Sequence, residues 1–550
     1  MLWTLALGIC SALPNSIHDD HLPQFADRRQ TVESLSSHLL GLIQDNLSST
    51  TLATRDSELR QVINNNAKAL NDIGKQIDSA PETRRTALVC KAGQLIYGSR
   101  AVTPQQPTYE EEKQENWSTT CWLPAACFLN VRNALEVSIA LGLVVFTQTP
   151  FAVRSGGHNP SPGFGSIDQS GVLIDLGAMD SAWISADKSI ASVGPGATWE
   201  NIYDYVEQHQ LTVAGGRAAG VGAGGLVLGG GMSHFSNHWG LVCDNVKNFE
   251  VVLANSTIVQ ANSKSHLDLF KALKGGGPNF GIVTRFDLHT YPDYRVWYNY
   301  KVYNTSNVKR VMQATIEVQK AMETNDKIGF FLNQGVGTLT AGLVYREWTT
   351  FPAAFRAFDG IPVLLDAIPA TNGTQASFSP ALYVRTRGAN DQTYRFEIGA
   401  LTIKPDVQLY QDLQLVLQQI VGNSNLNLGF TYQPLGAPAA RQGQAKSSNA
   451  VNIRPEPQSW LALVAQWTDS ADDQAARSKL RELISRIEST ARSRGLLLPF
   501  QFQNDASYSQ SPLRSYGADS LAHLKTVAGK YDPRQVFQKL QSSGFLVSRA

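Results

Sequence analysis

At roughly 150 residues per domain, 550 residues leave room for two to four domains and a core that folds without stapling. Apolar residues make up 43% and charged residues 17%, and 47 Lys and Arg against 46 Asp and Glu leave a net charge of +1. This excludes a disordered, collagenous or disulfide-framework protein and offers no field for nucleic acid, polyphosphate or anionic lipid.

The chain starts MLWTLALGICSALPNS, with an apolar run from Leu2 to Cys10 and small residues ending at Ala12. That is the pattern of a secretory leader over residues 1–20, although a basic n-region is missing. A secreted or secretory-pathway protein is therefore expected. Triplets at Asn46, Asn116, Asn255, Asn304 and Asn372 are the matching N-glycan acceptors. The longest apolar stretch, Leu135 to Val153, is broken by Glu136, Ser138, Gln148 and Pro150, so no membrane span is expected.

Residues 21–122 read as an N-terminal helical arm. Val32, Leu35, Leu39, Leu42 and Ile43, then Leu59, Val62, Ile63, Leu70 and Ile73, fall at helical spacing and predict two amphipathic helices before Pro81. If Cys10 leaves with the leader, Cys90, Cys121, Cys127 and Cys243 allow one or two bridges. Cys90 with Cys127 is the preferred pair, tying a helix of the arm to the start of the next domain; four buried thiols are the alternative.

From 123 to 294 short β-branched runs (VVF, FAV, VLIDL, FEVVLAN, GIVTRFDL) alternate with glycine-rich turns, as in an α/β unit. Residues 295–500 carry longer strands such as KIGFFLNQG and LALVAQW between helical runs such as VKRVMQATIEVQKAM, describing an α+β domain with an antiparallel sheet flanked by helices. Residues 501–550 close with a helix stopped at Asp532-Pro533.

The candidate chemistry lies in three glycine clusters. Phe151-Ala-Val-Arg-Ser-Gly-Gly-His158 is a strand entering a Gly-Gly turn, where adjacent backbone N–H groups can approach a phosphate without Cβ interference; alone it is also an ordinary turn ending in histidine. Nine of the eighteen residues from Ala214 to Gly231 are glycine. They include Gly220-x-Gly222-x-x-Gly225, with Asp244 nineteen residues beyond Gly225, which raises a nicotinamide-binding fingerprint. Leu226-Val-Leu228 running into Gly229-Gly230-Gly231 argues against it, because such a turn must open a helix. Gly275 to Thr284, GGGPNFGIVT, is the third cluster.

Taken together, Arg154-Ser-Gly-Gly-His158, the 214–231 segment, WGLVCDNV (239–246) and GGGPNFGIVT resemble the FAD-binding domain of the FAD-linked oxidase superfamily, of p-cresol methylhydroxylase/vanillyl-alcohol oxidase type. The tail segments NDASYSQ (504–510) and KYDPRQVFQKLQ (530–541) are similar to its berberine bridge enzyme-like branch, especially the fungal members. The resemblance implies FAD joined covalently to His158. The second, cysteinyl attachment of some members has its counterpart here at Ala218, so a single link is expected, with Cys243 as packing. It further implies a cradle from Arg154, Ser155, Gly156 and Gly157 and from Gly220, Val221, Gly222, Gly224 and Gly225. Asp244, Asn245, Gly281, Ile282 and Val283 would line the adenine or ribityl side. Asn504 matches a tail asparagine near the flavin, whereas Phe502 replaces a frequent tyrosine.

For the base that takes a substrate proton, the sheet offers Tyr345, Glu347, Tyr394, Glu397 and Tyr432, and Tyr432 is the first choice beside the flavin. His234 and His238 share helical spacing but lack a third ligand, so no metal is expected. The expected activity is oxidation of a hydrophobic small molecule, a secondary-metabolite alcohol or activated C–H, with O₂ as acceptor. A carbohydrate oxidase, a non-redox isomerase or cyclase, and a binding protein without cofactor are the alternatives.

Overall fold

The computed structural model describes residues 34–46, 53–387, 393–422, 424, 426–446 and 448–550. The leader pattern at 1–20 lies outside them. Three helices, not two, precede Pro81: Leu35–Asp45, Ala53–Asn65 and Ala67–Ser79, followed by Glu82–Tyr97. The second apolar run is divided at Asn66, whose side-chain amide donates to the carbonyls of Val62 (2.9 Å) and Leu95 (3.2 Å). An Asn that bonds backbone in this way competes with helix propagation. The helices do not stand apart as an arm: Leu39, Ile43, Ile73 and Val89 share one core with helix Ala134–Thr147 and strand Cys127–Asn130. A Cys90–Cys127 disulfide crosses that core.

VVF is not a strand but the end of helix Ala134–Thr147. This helix is buried on nearly every side, so its apolar residues show no amphipathic period that would separate it from a buried strand. A first sheet places Cys127–Asn130, Val172–Asp175 and Phe151–Arg154 side by side in parallel, with Ala101–Val102 antiparallel at one edge. A second, antiparallel sheet runs in the order Ala182–Ile184, Ile190–Val193, Ile282–Tyr291, Val246–Val252 and Ile258–Asn262. The tail comes back to the first sheet, where Phe151 N–H donates to Leu540 (2.8 Å) and Ser542 N–H to Phe151 (2.7 Å).

The third sheet has eight antiparallel strands, with Ile328–Gln334, Asn427–Leu435 and Gln458–Trp467 at its centre. Strand side chains alternate between faces. Leu332, Phe430, Tyr432 and Leu463 pack against helices Val308–Ala321, Val407–Val421 and Asp473–Ser493. The opposite parity, including Thr431 and Gln433, turns toward the glycine-rich unit, where Gln433 meets Arg217. The fold is α+β, and among the described residues no helix is long and apolar enough to cross a membrane.

Candidate active site

A cleft of about 400 Å³ opens where the glycine clusters meet Arg217 and the tail segment 502–505. One wall is almost all backbone. Strand Phe151–Arg154 delivers Ser155 to His158 to its floor, and Val221, Gly222, Gly224 and Gly225 cross them. The crossing is too close for side chains: a Cβ on Gly156 would lie 2.5 Å from Gly222 Cα, and one on Gly222 2.6 Å from Gly156 Cα. At Gly225 a Cβ would enter open space instead, so its missing side chain leaves room in the cleft. Gly281, Ile282 and Val283 complete this wall.

A short helix, Ala223–Leu228, does follow the Gly220-x-Gly222-x-x-Gly225 turn, contrary to the sequence expectation, and Gly229 ends it after six residues. The Rossmann reading still fails, because the adjoining strand Thr212–Val213 is antiparallel to Ile282–Tyr291 and builds no βαβ unit.

His158 faces the cleft and is held by aromatic stacking. The Trp117 ring lies 4.2 Å from its imidazole at 11°, and Phe396 backs Trp117 at 3.7 Å and 16°. Trp117 N–H donates to Gly157 (3.0 Å), so the clamp and the turn are fixed to each other. The methyl of Ala218 belongs to the same lining. Arg154 lines the cleft, but its guanidinium turns inward to Asp175, the Glu112 carbonyl (2.7 Å) and the Glu112 carboxylate (3.3 Å). It anchors the strand, and only its backbone is left for a phosphate. Ser155 Oγ is likewise committed, donating to the Pro195 carbonyl.

The other wall carries charge. Arg217 bonds Gln433 and lies 5.9 Å over the Phe331 ring, while Gln433 Nε2 donates to Asp505 Oδ2 (2.6 Å). Asp505 is the single carboxylate of the lining among the described residues. Burial pushes its carboxyl above the usual range, against the opposing pull of Gln433 and Arg217. Asn504 reaches the cleft, but its amide accepts from Gly231 N–H (3.0 Å) and donates to Gly225 (3.1 Å), bracing the glycine turn. Phe502 lies 4.4 Å from Trp460 and presents an apolar face.

Several expected site residues lie elsewhere. Tyr432 is fully buried among the helices behind the sheet, its hydroxyl donating to Tyr410 (3.3 Å); one step of strand parity separates it from Gln433, which turns the other way to Arg217 and Asp505. Asp244 accepts from Leu241 N–H (2.8 Å) and Asn449 (2.7 Å), and Asn245 donates to Trp239 (3.0 Å) and Leu241 (2.8 Å). Both hold their own loop together, and neither they nor Gly220 line the cleft. Glu347 pairs with Lys327 at the surface, and Glu397 is buried against Ser507 (2.9 Å). Cys243 is buried packing. His238 bonds Asp326 (2.7 Å), whereas His234 is buried among Phe331 and Phe378. The amides of Asn46 and Asn116 are buried and bonded, to Leu42 (2.8 Å) and Cys121 (3.3 Å), so these two glycan acceptors are closed in the folded chain. Asn255, Asn304 and Asn372 are exposed.

The pattern missed Trp117, Arg217 and Asp505. A Trp on a connecting segment and a lone Asp after Asn504 carry no spacing signal, and only their convergence gives them meaning.

A family model described as an FAD binding domain matches residues 125–262. An FAD-dependent monooxygenase of Aspergillus niger is 36% identical over 465 residues, covering 83% of this chain and 79% of that protein. The chain belongs with this fungal enzyme to a family of FAD-dependent oxidoreductases. The crystal structure of 6-hydroxy-D-nicotine oxidase from Arthrobacter nicotinovorans superposes with a TM-score of 0.69 at 19% identity, covering 80% of this chain and 96% of that one. Glucooligosaccharide oxidase from Acremonium strictum, whose flavin is described as 6-S-cysteinyl, 8α-N1-histidyl FAD, gives 0.67 at 18% identity, with 84% and 99% covered. These neighbours share the p-cresol methylhydroxylase/vanillyl-alcohol oxidase fold. The cleft fits the cofactor of this oxidoreductase family: bare backbone suits a pyrophosphate, the open space at Gly225 gives clearance, and Leu226, Phe286 and Phe545 offer apolar walls to flat rings.

Proposed function

We propose that this enzyme is an oxidase of hydrophobic small molecules, secondary-metabolite alcohols or activated C–H compounds, with FAD attached covalently through His158 alone and O₂ as electron acceptor. The observation that carries the reading is the His158 imidazole, clamped by Trp117 at the end of a Gly-Gly turn and facing the cleft that the Asp505 carboxylate also lines. A rigidly held neutral imidazole is a competent nucleophile, and the methyl of Ala218 offers no thiol for a second bond. Bound FAD supplies hydride acceptance and passes the electrons to O₂.

The chain's own residues do the rest. Asp505, as carboxylate, takes the proton from the substrate hydroxyl while the hydride leaves the carbon, so the substrate loses two electrons and two hydrogens. Gln433 orients Asp505, and Arg217 places a positive charge beside the oxygen as negative charge develops there. Apolar Phe502, Phe545 and Leu228 exclude water and favour a hydrophobic substrate over a sugar. A secretory route is supported by the Cys90–Cys127 disulfide and by the exposed acceptors Asn255, Asn304 and Asn372.

The test is turnover of a panel of apolar alcohols under ¹⁸O₂. The reading expects one hydrogen peroxide per substrate oxidised and no ¹⁸O in the product. Incorporated ¹⁸O would make the enzyme a monooxygenase, as the Aspergillus niger relative is named, and turnover without O₂ uptake would make it an isomerase or cyclase.

A further inference from the structure

A second cavity, of about 520 Å³ and open to solvent, shares no lining residue with the flavin cleft. Four lysines far apart in the chain meet there: Lys188, Lys247, Lys274 and Lys446. The charge count along the sequence is balanced, so this concentration exists only in the fold.

Lys274 is 1% exposed. Its ammonium has three donors, yet among the described residues it makes one long bond, 3.4 Å to the Lys446 carbonyl, and lies 4.1 Å from the Phe270 ring centre. A buried ammonium served this poorly is costly unless something else accepts from it. Lys446 is the opposite case: its ammonium donates to Trp239 (2.9 Å), Asn245 (2.8 Å) and the Tyr291 hydroxyl (3.2 Å), which makes it a fixed positive charge in the wall. Lys188 and Lys247 are exposed. The lining holds one carboxylate, Asp244, bonded by Asn449 and Leu241 N–H and acting through space on Lys274 and Lys446, so four lysines meet a single negative charge.

We infer that this cavity is a binding site for a compact anion with two or more negative oxygens, a phosphate ester or a di- or tricarboxylate. Its positive field acts on a neighbour already: His289, in the same lining, is held below the ordinary imidazole range by burial first and then by Lys247, Lys446 and Lys274. A field that repels a proton attracts an anion.

The experiment is calorimetric titration of the intact protein with inorganic pyrophosphate, compared with the Lys188→Glu/Lys247→Glu double variant and with Lys274→Met. One-to-one binding is expected, weakening with salt and at least tenfold weaker in the double variant, whose exposed positions leave the core intact even if Lys274→Met fails to fold. The His289 resonances should titrate at higher pH when pyrophosphate is present. No binding at millimolar pyrophosphate, or equal affinity in the double variant, would overturn the assignment. Citrate in place of pyrophosphate separates the two chemistries: equal binding supports a general oxyanion site, and pyrophosphate alone a phosphate site. None of these readouts depends on oxidase turnover.

Discussion

The two walls of the flavin cleft are built by opposite means. The glycine wall works by absence: Gly156 and Gly222 touch through their backbones and Gly225 leaves space, so its chemistry is written as residue types that cannot be exchanged. The charged wall works by direction: behind it Gln433 turns to Arg217 and Asp505, while the preceding residue, Tyr432, is buried in a helix-packed core, so the placing of that charge depends on strand parity. A wall made of glycines is visible in a sequence, while a charge placed by the orientation of the strand behind it is not.

The largest expected effect breaks the glycine wall. In Gly222→Ala the new methyl meets Gly156 backbone at 2.6–2.7 Å, where no flexible side chain can yield, so the protein should purify without flavin absorbance at the visible maximum. Gly225→Ala, whose methyl enters open space, should fold and only lower flavin loading.

On the charged wall, Asp505→Asn should keep its flavin and lose about 10²–10⁴-fold in kcat, the usual range for a proton-transfer group. Its pH profile gives the sign. The active form is the carboxylate and its pKa lies above the ordinary value, so kcat/KM falls as pH drops through that raised pKa. This acid limb should vanish in Asp505→Asn, and an unchanged limb would assign the base elsewhere.

Away from both walls, Cys90→Ser should lower stability in a denaturant titration, by about 4 kcal/mol on loop-closure grounds for a bridge spanning 37 residues, with the flavin spectrum unchanged. The smallest effect sharpens the parity argument. Tyr432→Phe removes one bond of 3.3 Å behind the sheet and should cost about 1 kcal/mol of stability while leaving kcat within twofold. A hundredfold loss in kcat would put Tyr432 back in the site.

Part of this is legible in the sequence. The strand–Gly-Gly–His turn and the tail helix ending at Tyr531 follow from residues whose local physics admits few alternatives, the cofactor class follows from a resemblance of motifs, and Cys127 is the preferred partner of Cys90 among alternatives that only the fold closes. VVF was misread because helix Ala134–Thr147 is apolar on every side and shows no period. Asp244 and Asn245 were misplaced because their neighbours in sequence belong to the cofactor motif while their side chains turn back on their own loop. Arg154 shows the same limit: its place in the turn was readable, but the pull of Asp175 and Glu112 on its guanidinium required the fold.

The proposed chemistry turns on a covalent bond between His158 and the flavin. The direct measurement is acid precipitation of wild-type protein and the His158→Ala variant, with absorbance and intact mass read on each pellet. The wild-type pellet should be yellow and heavier by one FAD, and the His158→Ala pellet colourless. Flavin released into the wild-type supernatant, or a yellow His158→Ala pellet, would contradict a bond to His158.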